Sequence, residues 1–122
     1  MKTLETIARL LDNTYEPVSQ SGTYSIKHSL HGNRLVLKYI TIVHFASEQA
    51  LKPQVAAAHE QAHQLISEKI SKLKKEYKEK VGTALKLEDR GGDDNIEIIQ
   101  STSNSLRKVA YYRYNQTVDL IV

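Results

Sequence analysis

Two rhythms of apolar and polar positions run through this chain. Between 51 and 81 apolar side chains recur at Val55, Ala58, Ala62, Ile66, Ile70, Leu73, Tyr77 and Val81, in steps of three or four. That spacing keeps one stripe on one helix face for about eight turns. At 1.5 Å per residue the predicted rod is about 45 Å long. Pro53 falls in its first turn, where a missing N–H costs nothing, and Gly82 follows the last stripe residue as a left-handed stop. A 122-residue globule is about 30 Å across, so the helix is expected to overhang it.

Elsewhere the period is two. Tyr24, Ile26, His28 and Leu30 alternate with Ser25, Lys27 and Ser29, the mark of a half-buried strand. His31-Gly32-Asn33 then reads as a tight turn. The next strand, 34–45, sets Leu35, Leu37, Tyr39, Val43 and Phe45 on one face and Val36, Ile40 and Ile42 on the other. Apolar residues on both faces predict a central strand. On this reading His28 and His44 are ordinary strand residues. A short helix is predicted over 3–11 with Thr3 as cap, followed by a loop at Pro17 and 19–22. After the long helix come a strand at 83–88, a polar, mobile hairpin tip at 89–95, and strands at 96–100, 106–114 and 117–122. The segment 101–105 and Asn115-Gln116 are the expected breaks. The fold expected is one α+β domain over 1–122: an N-terminal helix, a β-hairpin, and one long amphipathic helix packed on a mostly antiparallel sheet that three or four C-terminal strands complete.

Composition narrows the chemistry. The chain has no cysteine, which removes disulfides, thiolate metal sites and cysteine nucleophiles. The N-terminus lacks the apolar core of an export signal, and no apolar run approaches eighteen residues, so an intracellular or virion location and no membrane partner are expected. Net charge is +3, and it is local: 51–82 carries seven lysines against four glutamates, while the flanking regions nearly balance.

One string is chemically sharp. His59 and His63 lie four apart, one turn above each other on a helix, with Glu60 between them. This His-Glu-x-x-His string resembles the gluzincin and related zinc-peptidase families over five residues. The resemblance implies His59 and His63 as zinc ligands, Glu60 as general base, and a third, carboxylate ligand from Glu88 or Asp89. In those families the third ligand comes from a following helix, and no second helix is predicted after 82. The alternative is that the imidazoles flank an alanine-rich contact, Ala56-Ala57-Ala58 with Ala62, and that there is no cofactor.

Lys69, Lys72, Lys74, Lys75, Lys78 and Lys80 crowd the helix C-terminus, where cations suit the dipole. Glu68–Lys72 and Glu76–Lys80 are spaced to pair. With Tyr111, Tyr112, Tyr114, Arg107, Lys108 and Arg113 on a sheet face, the same lysines read alternatively as a nucleic-acid surface. The leading expectation is a non-catalytic assembly or interaction subunit that binds itself and other protein subunits. Its contacts are expected at Ala56, Ala57, Ala58, Ala62 and Tyr77. Small α+β components of phage head-to-tail or tail-completion rings share this broad order of elements, an analogy of fold alone. The alternatives are a nucleic-acid accessory protein and a small zinc hydrolase.

Overall fold

The predicted rod is a single helix, α2 (Glu48–Val81), in a computed structural model that describes residues 2–13, 24–99 and 108–121. Ser47 caps it, its Oγ accepting the Ala50 N–H at 3.2 Å, four residues ahead of the predicted start. Gly82 closes it in the left-handed region at φ 88°, donating its N–H to the Lys78 carbonyl at 2.8 Å. Its buried side chains are Ala58, Ala62, Ile66, Lys69, Leu73 and Tyr77. Around it the order is α1 (Lys2–Asn13), β1 (Tyr24–His31), β2 (Arg34–Phe45), then β3 (Lys86–Ile99) and β4 (Lys108–Ile121). The predicted loop at Pro17 and 19–22, the break at 101–105 and the strand start at 106–107 lie outside the described residues.

The four strands form one antiparallel sheet in the order β1-β2-β4-β3, so the α+β architecture is as expected. Gly32 at φ 60° supplies the one positive φ of the two-residue hairpin turn between β1 and β2. Asn33 ties that turn to the far end of β4: its carbonyl accepts the Leu120 N–H at 2.8 Å, and its Nδ2 donates to the Leu120 carbonyl at 3.2 Å.

Two long strands replace the three or four short ones expected after α2. The 89–95 stretch is no hairpin tip but the middle of β3. A bulge between Asp89 and Gly91 absorbs the extra residue, with Gly91 at φ 89° and the Asp89 carboxylate accepting the Gly91 N–H at 2.7 Å. Asn115-Gln116 likewise does not break β4. Gln116 is buried, and its amide is satisfied there, accepting from the Tyr114 hydroxyl at 2.5 Å and donating to Asp89. At fourteen residues each, β3 and β4 span about 46 Å, close to the roughly 51 Å of the 34-residue helix. The last turn of the helix, 78–81, is exposed throughout.

One face of the sheet carries the core. Leu35, Leu37, Tyr39, Val43 and Phe45 of β2 and Ala110, Tyr112, Val118 and Leu120 of β4 are buried on it, with Ile7 and Leu10 of α1 joining the same cluster or its margin. The helix packs mainly on β2 and β4. A helix about 10 Å wide covers two strands spaced about 4.8 Å apart, so β3 falls outside its cover. Every second residue of β4 from Ala110 to Leu120 is buried, whereas 88–99 of β3 is exposed throughout.

Candidate functional site

The register sorts β3 into two faces. Leu87, Asp89, Gly92, Asp94, Ile96 and Ile98 stand opposite Leu120, Val118, Gln116, Tyr114, Tyr112 and Ala110, and so share the helix side of the sheet. Between them and α2 runs an open trough. Its middle is a cleft of about 330 Å³ lined by His59, His63, Asp89, Asp94 and Tyr114, among others. Its end near the helix N-terminus is apolar, lined by Leu51, Val55, Ala56 and Ile96.

In the cleft three elements are joined by side chains. Tyr112 of β4 donates its hydroxyl proton to Asp94 Oδ2 of β3 at 3.2 Å, so His59 Nδ1 of α2, 2.9 Å from the same oxygen, meets it as an N–H donor. His59 Nδ1 also lies 3.5 Å from Asp94 Oδ2. His63 packs against His59 with ring centroids 4.4 Å apart and against Tyr114 at 4.7 Å. Burial, and then the Asp94 carboxylate, push the Tyr112 phenol well above its ordinary value. Burial followed by the carboxylates of Asp89, Asp94 and Asp93 raises Tyr114 too. Both phenols thus stay neutral donors. Gly92 makes room for this packing, because a Cβ there would run into the Tyr114 hydroxyl and come within 2.6 Å of Cζ and 2.8 Å of the Asn115 carbonyl. The chemistry on view is a clamp between helix and sheet.

That arrangement does not fit the zinc set that the His-Glu-x-x-His resemblance implied. The two histidines do meet, but Glu60 is exposed on α2, and Glu88 faces the other side of the sheet, opposite Asp119 and 3.5 Å from Arg90. Asp89 does line the cleft with the histidines, its Oδ1 accepting from the Gly91 N–H and the Gln116 amide. Among the described residues no three His, Asp or Glu side chains converge on one point. The carboxylate beside His59 is Asp94, which the sequence reading had placed in a loop.

The expected contact residues divide. Ala58, Ala62 and Tyr77 are buried within the core, and only Ala56 and Ala57 are exposed. Of the lysine cluster, Lys69 is buried between Ile66 and Leu73 in the seam, while Lys72, Lys74, Lys75, Lys78 and Lys80 are exposed. Tyr112 and Tyr114 are buried on the helix side and offer no stacking surface. Tyr111 faces outward with Arg113 over its ring at 5.5 Å, and Arg113 is paired with Glu97 at 2.8 Å. Lys108 is exposed, and Arg107 lies outside the described residues.

The sequence reading missed the exposed isoleucines. Of the six large apolar side chains that are exposed among the described residues, three stand at the end of β3, Ile96 and Ile98 on the helix side and Ile99 on the outer face, while Ile42 lies on the outer face of β2 opposite Tyr111. The alternating Ile96-Glu97-Ile98 was the available signal. No protein-family model, characterised protein or solved structure matches the chain. No helix among the described residues is long and apolar enough to cross a membrane.

Proposed function

We propose that this chain is a non-catalytic assembly subunit that associates with copies of itself through the open β3 side, in the cytoplasm or in a virion. The observation that carries this reading is β3 itself. It is a fourteen-residue strand whose outer edge meets no other strand among the described residues. Such an edge presents a row of unpaired N–H and C=O groups, a template for another chain. The neighbouring apolar patch on the helix side, Ile96 and Ile98 with Leu51 and Val55, adds area of the kind that marks contact surfaces.

Light scattering over the micromolar range tests the reading. The expected mass rises with concentration to multiples of 13.8 kDa, and the double variant Ile96→Lys/Ile98→Lys stays a folded monomer. A mass of one chain at every concentration for the unaltered protein contradicts it. A second reading, a nucleic-acid accessory protein, draws on the five exposed lysines between 72 and 80, and the experiment described next separates the two.

A further inference from the structure

We infer that copies of this chain join head to tail, the lysine-bearing flank of one α2 docking on the acidic stretch of β3 in the next. This rests on the self-association reading above and adds the partner surface and its direction. Two oppositely charged surfaces stand on one molecule. β3 carries Glu88, Asp93 and Glu97 on its outer face and Asp89 and Asp94 on its helix side, against Lys86 and Arg90 of the same strand and Arg113, which pairs with Glu97. The last turns of α2 carry Lys72, Lys74, Lys75, Lys78 and Lys80 against Glu76 and Glu79. At about 100° per residue, Lys74 and Lys78 fall on one flank, Glu76 and Glu79 fall on the other, and Lys75 stands on the solvent-facing back between them. Among the described residues none of these five lysines makes an ion pair.

Within a chain the 93–97 end of the acidic stretch stands apart from the lysines: His59 stands beside Asp94, and Lys74 and Lys78 are fifteen and nineteen residues further along the same helix, about 22 and 28 Å away. Both distances exceed two Debye lengths at physiological salt, about 8 Å each, whereas Asp89 is nearer, in the same cleft as Ile70, one turn before Lys74. Between chains the same charges can touch. Of the exposed apolar residues, Ile96, Ile98 and Ile99 adjoin the acidic stretch, Val81 and Ile121 stand towards the lysine end, and Ile42 lies on the outer face of β2.

A symmetric pairing of two β3 edges is disfavoured along this stretch. Centred on Asp93, it would set that residue against itself and Asp89 opposite Glu97, and like charges across strands are destabilising. Contact between two different surfaces repeats instead of closing on itself in a pair, which builds a ring or a filament. Nucleic acid is the less favoured occupant of the lysine flank, since Tyr112 and Tyr114 are buried.

Two charge-reversal variants test the inference by light scattering at low and high salt, with circular dichroism confirming that each is folded. Lys74→Glu/Lys75→Glu/Lys78→Glu and Asp93→Lys/Glu97→Lys should each weaken self-association by about tenfold or more. Mixing the two variants should restore it, because the reversed flank of one then matches the reversed strand of the other. If both variants assemble like the unaltered chain, the head-to-tail contact is wrong while self-association stands. If the unaltered chain is monomeric throughout, both readings fall. If the lysine variant keeps its assembly but loses salt-sensitive binding to an oligonucleotide, the lysines meet phosphate and the inference is overturned.

Discussion

β3 and β4 are hydrogen-bonded neighbours of equal length, yet they have opposite environments. Along β4 the helix-side residues Ala110, Tyr112, Tyr114, Gln116, Val118 and Leu120 are all buried. Along β3 the cross-strand partners of the first five, Ile98, Ile96, Asp94, Gly92 and Asp89, are all exposed, and Leu87 opposite Leu120 is half-buried. The ladder joining them is the same; only the cover differs. α2 is wide enough for two strands, and the third lies beside it, not beneath it. The comparison shows that backbone pairing fixes where a strand lies, while burial decides whether its side chains serve the fold or remain available to a partner.

The largest expected contrast comes from truncating one residue in each strand. Leu120→Ala removes a fully buried side chain and should cost about 2–5 kcal/mol in urea unfolding. Ile98→Ala, half exposed on the neighbouring strand, should leave stability within about 0.5 kcal/mol. Equal losses would break the comparison. Gly92→Ala is the exception that sharpens it, as an exposed position where the added methyl meets Tyr114 and the Asn115 carbonyl. It should destabilise by about 1–3 kcal/mol, and less in a Tyr114→Leu background, where a double-mutant cycle measures the shared clash.

The smallest effect concerns the outer face, where Arg34 of β2 and Arg90 of β3 both donate to Asp119 of β4, at 3.0 and 2.7 Å. Arg34 first, then Arg90, holds the Asp119 carboxyl below its ordinary range. Its stabilising contribution is therefore complete above the unfolded value, about 3.9, and disappears as pH falls through the lowered native value. Acid unfolding curves of the unaltered chain and Asp119→Asn should differ at neutral pH and converge in strong acid. Curves that stay equally separated in strong acid would show that the bracket does not titrate as described.

Much of the fold was legible because it is written in local periodicity. The α2 seam from Val55 to Tyr77, its Gly82 stop and the β1–β2 hairpin can each be read within a few residues. What was not legible depended on partners distant in the chain. Gly91-Gly92-Asp93-Asp94-Asn95 has the composition of a loop, and only the ladder to β4 and the bulge at Asp89 make it strand. Lys69 looked like one more surface lysine because its neighbours are, although the stripe spacing from Ile66 to Leu73 already placed it on the seam. The meeting of His59 with Tyr112 and Asp94 crosses more than thirty positions of sequence to each partner, so no short pattern carries it. The His-Glu-x-x-His string was conspicuous, while the exposed Ile96 and Ile98 were not, because exposure depends on which strands a single helix happens to cover.

Amide hydrogen exchange, followed at low and at high protein concentration, tests the β3 side as the contact most directly. The account predicts slow exchange along β4 at both concentrations. The outward-pointing amides of 88–99 in β3 should exchange fast when dilute and become protected when concentrated. Exchange in β3 that stays equally fast at both, in a protein whose mass does increase, would place the contact elsewhere and contradict the account.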